Sequence, residues 1–384
     1  MTHSPDPFDD TIAGHMERSG VNRRDFLTFC GKLMAAAPFG LAITHAFSVE
    51  AVAAGLEKAR RPSVIWLHFQ ECTGCTETLL RTSHPDLADL LFNIISLDYH
   101  ETVMAASGYD AEAALHDAMD ENDGKFVLVV EGAVPTKENG AYLTIAGKTG
   151  IKILEEVSSR AAAVISIGSC ASFGGIPASG PNPTGAVGID TLVKNKPVVN
   201  IPGCPPNPYV LLGVVLQYAS NGTLPELDDK NRPKFAYDRT IHEHCPRRPH
   251  FDAGRFASQF GDSGHNQGWC LYKLGCKGPV THAPCSTRHF NEVVDCWPIG
   301  IGHPCVGCTE QEVAFRIPIH QTVEIGRAVP PDTYPGIYGQ SAAISPLATG
   351  VAGVIGGAAI AGGILASRKL GTRTPPEDDG SLED

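Results

Sequence analysis

The run Val64-Ile65-Trp66-Leu67-His68-Phe69-Gln70-Glu71-Cys72-Thr73-Gly74-Cys75 decides the fold, because it carries a short apolar block straight into a C-x-x-C pair. Val64 to Leu67 reads as a buried strand, and similar blocks recur at Phe92 to Leu97, Phe126 to Val130, Val164 to Ile167 and Val198 to Ile201. Helical patterns fall between them, at Ala111 to Met119, Ile151 to Val157 and Tyr209 to Tyr218. Strand and helix in alternation predict an α/β chain whose parallel sheet is covered on both faces. In such sheets the working crevice lies beyond the carboxyl ends of the strands.

The cysteines of this half stand at those ends. Cys72 and Cys75 follow the first strand, Cys170 in Gly168-Ser169-Cys170 follows the fourth, and Cys204 in Pro202-Gly203-Cys204-Pro205-Pro206 follows the fifth. Three loops thus bring four thiols toward one point, a set that suits either tetrahedral zinc or an iron–sulfur cluster. The glycine- and proline-rich flanks leave bare backbone N–H groups for inorganic sulfide, which favours the cluster. No Walker-type sequence and no G-x-G-x-x-G follows any of these strands, which disfavours a nucleotide enzyme.

From about Lys234 the pattern changes to loops dense in His, Cys, Gly and Pro. His242 and Cys245 stand three apart, a spacing that puts both on one face of a helical turn. Cys270 and Cys276 follow in Trp269-Cys270-Leu271-Tyr272-Lys273-Leu274-Gly275-Cys276-Lys277-Gly278-Pro279, then Cys285, Cys296 and the pair Cys305 and Cys308. Eight potential ligands in so short a stretch exceed what one metal uses, so two further sites are implied. His244 reads as an ordinary surface histidine.

A chain of 384 residues has room for one large domain or two modest ones. Its formal charge of -12 argues against a nucleic-acid surface, which needs a basic stripe. Twelve cysteines in an exported chain would ordinarily suggest disulfides. Disulfide frameworks belong mainly to small domains, however, and short groups set among glycine and proline fit metal ligation better.

Export is written at the N-terminus. Asn22-Arg23-Arg24-Asp25-Phe26-Leu27 is a twin-arginine signature, Leu33 to Val49 is uncharged, and Ala51-Val52-Ala53 offers a cleavage site. Residues 1–53 are therefore expected to be a signal peptide of the route that carries folded, cofactor-loaded proteins. Near the other end, Ser345 to Ala366 is apolar or small throughout and would span roughly 33 Å as a helix. Gly353 and Gly357 suit close packing in a membrane, and Arg368 and Lys369 favour a cytoplasmic C-terminus. A flexible Gly/Ala linker is the competing reading of that stretch. Residues 371–384 are polar and acidic and are expected to be disordered.

The motifs ECTGCTE, GSCASFGG, PGCPPNP, CLYKLGCKGP and GHPCVGC, in this order between about Pro62 and Cys308, resemble the small subunit of nickel–iron hydrogenases of the membrane-bound uptake type. The resemblance implies a flavodoxin-like parallel sheet domain at 62–233, a loop-rich iron–sulfur domain at 234–330, and a C-terminal transmembrane helix at 345–366. It implies a proximal 4Fe-4S cluster on Cys72, Cys75, Cys170 and Cys204, and a distal 4Fe-4S cluster on His242, Cys245, Cys270 and Cys276. A medial 3Fe-4S cluster would lie on Cys285, Cys305 and Cys308, with Pro298 where a fourth cysteine is absent. Oxygen-tolerant relatives carry two further cysteines near the proximal cluster; those positions are Gly74 and Gly175 here, which predicts an ordinary cubane. Cys296 departs from the pattern, either as a free thiol or as a fourth ligand to the medial cluster. The implied partners are a large subunit holding the nickel–iron centre and a membrane cytochrome or other redox partner, on the periplasmic side of the inner membrane. The competing readings are a quinone-reductase-type subunit of a respiratory complex and a zinc-binding envelope protein.

Overall fold

The computed structural model describes residues 11–18, 20–22, 24–28, 30, 54–55, 59–83, 86–290 and 293–326. The expected cleavage site, the span at 345–366 and the tail at 371–384 lie outside the described residues. Among the described residues no helix is long and apolar enough to cross a membrane.

Five parallel strands form the central sheet: β1 Ser63–His68, β2 Ser96–His100, β3 Val127–Glu131, β4 Ala163–Ile167 and β5 Val198–Ile201. They lie in the order β2-β1-β3-β4-β5, the 2-1-3-4-5 arrangement of flavodoxin-like sheets. The longer helices, of six residues or more, are α1 Ile12–Arg18, α2 Gly74–Leu80, α3 Tyr109–Glu121, α4 Gly150–Arg160, α5 Gly168–Phe173 and α6 Pro208–Asn221.

Alternation along the strands divides the core in two. Val64, Trp66, Val127, Val129, Ile165, Ile167, Val199 and Ile201 face α6, packing with Val210, Leu212 and Val214. Ile65, Leu67, Leu128, Val130, Val164 and Val198 face the other way, against Leu115 and Met119 of α3 and Ile153, Leu154 and Val157 of α4. Side chains two apart share a face, so an unbroken apolar run has to be covered on both sides. Helix α6 starts where the sequence permits: the Asn207 side chain accepts from the Tyr209 N–H at 3.1 Å, and Pro208 occupies the first turn.

One strand differs from expectation. Leu90–Ile94 is a short π-helical turn, and β2 begins only at Ser96. A short apolar run reads alike as buried helix or buried strand, and here tertiary packing chose the helix for its first half.

The segment after α6 builds a smaller core from turns. Single 3-10 turns at Ile241–His244, Tyr272–Leu274, Gly278–Val280 and Pro284–Ser286 surround Ile241, Leu271, Leu274, Trp297 and Ile299, with Cys245, Cys276 and Cys305 inside the same cluster. Ion pairs tie this core to the sheet. Arg232, only 4% exposed, pairs with Asp228 at 2.7 Å and with Glu310 at 2.8 Å, and Glu310 also takes Lys230 at 2.6 Å. Burial alone would raise the Glu310 carboxyl; hydrogen bonds from His282 and Lys230 and the Arg232 charge outweigh it and hold the group down at about 2. The Tyr237 hydroxyl adds a bond to the Pro202 carbonyl at 2.7 Å.

The described N-terminal residues pack against the sheet domain. Ile12, Met16, Phe26 and Cys30 are buried together with Ala59, and Leu216 of α6 packs on them. The Ile12 N–H donates to the Ala59 carbonyl at 2.9 Å.

Candidate functional site

The order of the strands reverses between β1 and β3, and the C-x-x-C loop stands at that switch point. Thr73 takes the left-handed conformation, φ 61°, to turn the chain into α2. No side chain from the preceding turn caps this helix. The cap comes from across the sheet. Glu131, the buried last residue of β3, accepts from the Cys75 N–H at 3.0 Å, the Thr76 N–H at 3.1 Å and the Thr76 hydroxyl at 2.6 Å. A carboxylate there satisfies orphan donors and faces the positive end of the helix, so Glu131 fixes the position of Cys75.

Thr76 Oγ1 also meets His100 Nε2 at 3.3 Å, and His100 Nδ1 meets His68 Nε2 at 3.4 Å. Burial lowers both imidazoles, and the neighbouring His68 helps bring His100 down to about 4, so this pair is neutral at pH 7.

The other two loops are tied together before they reach the thiols. The Ser169 N–H donates to the Gly203 carbonyl at 2.9 Å, and the Gly203 N–H donates to Ser169 Oγ at 3.0 Å. Two glycines leave room for sulfur. A Cβ at Gly168 (φ 84°) would lie 2.5 Å from Cys75 Sγ, and one at Gly175 (φ 49°) would lie 2.9 Å from Cys170 Sγ. Both also sit in backbone that L side chains rarely adopt.

Cys72, Cys75, Cys170 and Cys204 are therefore together, and they feel one another's charge. Burial first, then Glu131 and the other three thiols, pushes Cys75 well above its ordinary value. Burial likewise carries Cys170 to about 12, reinforced by Cys204 and Cys72. Without a metal Cys75 and Cys170 are protonated, and a bound cation reverses that outcome.

A second group forms in a small pocket lined by His242, Cys245, Cys270 and Cys276, with Arg247 and Arg248 in its wall. Burial, and secondarily Arg248, lowers His242 to about 4. Its imidazole is thus neutral, and its buried Nε2 has no hydrogen-bond partner. A lone pair hidden from water and left unpaired inside a ring of thiols fits a metal ligand. Burial raises Cys245 and Cys270 to about 12, with Cys276 adding to both. His244, by contrast, is partly exposed beside Arg239 at 3.2 Å.

The third group lies in a cavity of about 460 Å³ whose wall includes Cys285, Cys305 and Cys308 together with Cys204, Trp297 and Pro298. Cys296 is not part of that wall. Burial raises Cys285 and Cys308 to about 12 and Cys305 well above its ordinary value, and each of the three feels another. The groups also touch. Cys204 raises Cys308, and the Ser169 hydroxyl donates to the Cys308 carbonyl at 2.5 Å. On the other side, Cys276 raises Cys305, and the Lys277 N–H donates to the Cys305 carbonyl at 2.8 Å. The third group in sequence thus stands between the other two in space.

Among the described residues no three His, Cys, Asp or Glu side chains are close enough to share a single metal ion. Soft thiols gathered from several loops, with the unpartnered His242 Nε2 among them, are a donor set that fits iron–sulfur ligation.

Residues 72–218 match the family described as NADH ubiquinone oxidoreductase, 20 Kd subunit. Residues 237–320 match the family described as the C-terminal part of the NiFe/NiFeSe hydrogenase small subunit. The chain is 47% identical to the Hydrogenase-2 small chain of Escherichia coli K12, over 92% of this chain and 94% of that one. This chain belongs to the small subunits of nickel–iron hydrogenases. It is 48% identical to the periplasmic [NiFe] hydrogenase small subunit 1 of Nitratidesulfovibrio vulgaris, over 77% of this chain and 92% of that one. The recombinant [NiFeSe] hydrogenase of Desulfovibrio vulgaris Hildenborough superposes with a TM-score of 0.61 at 38% identity, covering 66% of this chain and 94% of that one.

A nickel–iron hydrogenase small subunit is an iron–sulfur, electron-transfer subunit of an oxidoreductase, and it pairs with the large subunit that holds the catalytic site. Sequence reasoning missed Glu131, which holds the first thiol pair, and the Arg232–Glu310 pair, which joins the two cores. Glu131 had a signal, a carboxylate closing the apolar run Val127 to Val130, since charged groups are seldom fully buried without a partner.

Proposed function

We propose that this small subunit passes electrons between the large subunit and a membrane cytochrome or other redox partner, along three cluster sites in line. Cys72, Cys75, Cys170 and Cys204 hold the proximal 4Fe-4S cluster, Cys285, Cys305 and Cys308 the medial 3Fe-4S cluster, and His242, Cys245, Cys270 and Cys276 the distal 4Fe-4S cluster. The observation that carries this reading is the double adjacency, Cys204 beside Cys308 and Cys276 beside Cys305. Iron–sulfur clusters, once bound, supply one-electron redox chemistry in a range set by ligation, hydrogen bonding and burial. The protein's residues hold the sites in order and bury Cys245, Cys270, Cys276 and Cys305. His242 in place of a thiolate leaves the distal site one negative charge fewer, which favours its reduced form. Cys296 stays a free thiol, supported by its place outside the cavity wall and by Pro298 within it.

On this reading residues 62–233 form the proximal-cluster domain and 234–330 the medial- and distal-cluster domain. Residues 1–53 direct twin-arginine export, and 345–366 anchor the protein on the periplasmic side of the inner membrane, on the strength of the sequence signals alone.

Iron and acid-labile sulfide analysis tests the assignment, with about eleven irons per chain expected from two four-iron groups and one three-iron group. Cys285→Ala should abolish the EPR signal of the medial cluster and leave the proximal signal intact. Stoichiometric zinc without sulfide, or spectra unchanged by Cys285→Ala, would overturn it.

A further inference from the structure

Lys277 is completely buried, and it stands next to Cys276 in the chain with its N–H on the Cys305 carbonyl at 2.8 Å. It therefore lies between the second and third thiol groups. Its Nζ is surrounded by carbonyl oxygens alone: Gly275 at 3.3 Å, Pro318 at 2.9 Å, Ile319 at 2.8 Å and Gln321 at 3.3 Å. An ammonium offers three N–H donors to such a cage, whereas a neutral amine would turn its lone pair toward an oxygen. The cage is what an ammonium needs in a site closed to water. Among the described residues no carboxylate pairs with Lys277, in contrast to Arg232, whose charge is offset by Asp228 and Glu310. Gly307, at φ 77°, leaves space for the lysine stem, since a Cβ there would lie 3.2 Å from Lys277 Cδ.

We infer that Lys277 is a fixed positive charge, without a carboxylate partner among the described residues, that sets the redox poise of the medial and distal sites together. The inference rests on the cluster assignment proposed above. A cation close to two redox groups in a medium of low effective dielectric favours the electron on each of them. Its four carbonyls come from Gly275 and the 318–321 turn, so the charge is positioned by backbone and does not move with the redox state. Lys277 is a positioning residue for potential. It ligates nothing.

Redox titration of the assembled hydrogenase, followed by EPR, separates the possibilities. Lys277→Gln removes the charge and keeps an amide N–H donor for the cage. At a fixed poise it should lower the reduced-to-oxidised ratio of both the medial and distal signals by about tenfold, equal to about 59 mV for a one-electron couple. The proximal signal should hold its potential. Lys277→Arg keeps the charge while disturbing the cage, and should leave all three potentials in place. Wild-type protein lacking three cluster signals would sink the cluster assignment itself. Signals that are present but unmoved by Lys277→Gln would overturn only the role of Lys277. If Lys277→Gln does not assemble, Lys277→Met removes the same charge while keeping much of the buried stem: potentials lowered at the medial and distal sites support the charge, and unmoved ones overturn it.

Discussion

Cys72 and Cys204 are exposed at the rim of a sheet whose apolar core closes without them, whereas Cys245, Cys276 and Cys305 are part of the small core in which they stand. The first region folds because buried strands and amphipathic helices cover one another, and its thiols ride on the loops that result. The second has only single turns and a handful of large apolar side chains, too little to repay the ordering of its backbone. On the proposed ligand assignment, metal binding and folding are one process there, as in other small domains whose ligands line their interior. A cluster site can thus be an ornament on a finished scaffold or the means by which a scaffold is finished.

The largest effect expected from this contrast lies in the second region. Cys305→Ala should lower amide exchange protection across 241–305 by about a hundredfold or more and leave β1 to β5 protected. Cys204→Ala should cost the proximal cluster while leaving both regions protected. Hydrogen exchange on the two variants measures the difference, and a sheet that melts in Cys204→Ala would break the comparison.

The joint between the regions comes next. Glu310→Gln leaves the buried Arg232 guanidinium short of a carboxylate and should destabilise the second region by about 3–5 kcal/mol in a denaturant titration. Because the folded carboxyl sits at about 2 against an ordinary 4.5, Glu310 contributes stability that is complete above that ordinary value. The contribution is lost as pH falls from about 4.5 toward about 2, since protons then bind the unfolded chain first. The wild type should show an acid slope in that window that Glu310→Gln lacks.

The smallest effect belongs to the scaffold. Glu131→Gln keeps one acceptor for the start of α2 and should cost about 1–3 kcal/mol. The amides of Cys75 and Thr76 should exchange faster while those of β3 stay protected. Equal loosening along all five strands would mean that Glu131 supports the sheet as a whole, and the rim would no longer be separable from the core.

Much of this could be read along the chain. Four of the five strands and all three long helices fall where apolar periodicity places them, because burial on both faces keeps the strands mostly apolar, with Ser166 in β4 and Asn200 in β5 buried among the apolar residues. The exception, Leu90–Ile94, is a run whose length and composition suit either structure. The thiols were legible from their spacing and their glycines, and His242 from its neighbour Cys245. Glu131 and Lys277 were not. A carboxylate at the end of a strand and a lysine in a loop look like solvent-facing residues until their partners arrive from distant positions: Thr76 from 55 residues away, the Pro318 carbonyl from 41.

The amino-acid sequence alone determined the alternating fold, the supply of soft ligands and the close pairs Cys72/Cys75, His242/Cys245 and Cys305/Cys308, since all of these are set by neighbours a few residues apart. Only the tertiary structure decided the order of the groups, because Cys308 meets Cys204 and Cys305 meets Cys276 through contacts that no local pattern encodes. It also decided which charges are buried. A charge survives away from water only where the folded chain supplies its partner, and the identity of that partner is a fact about space.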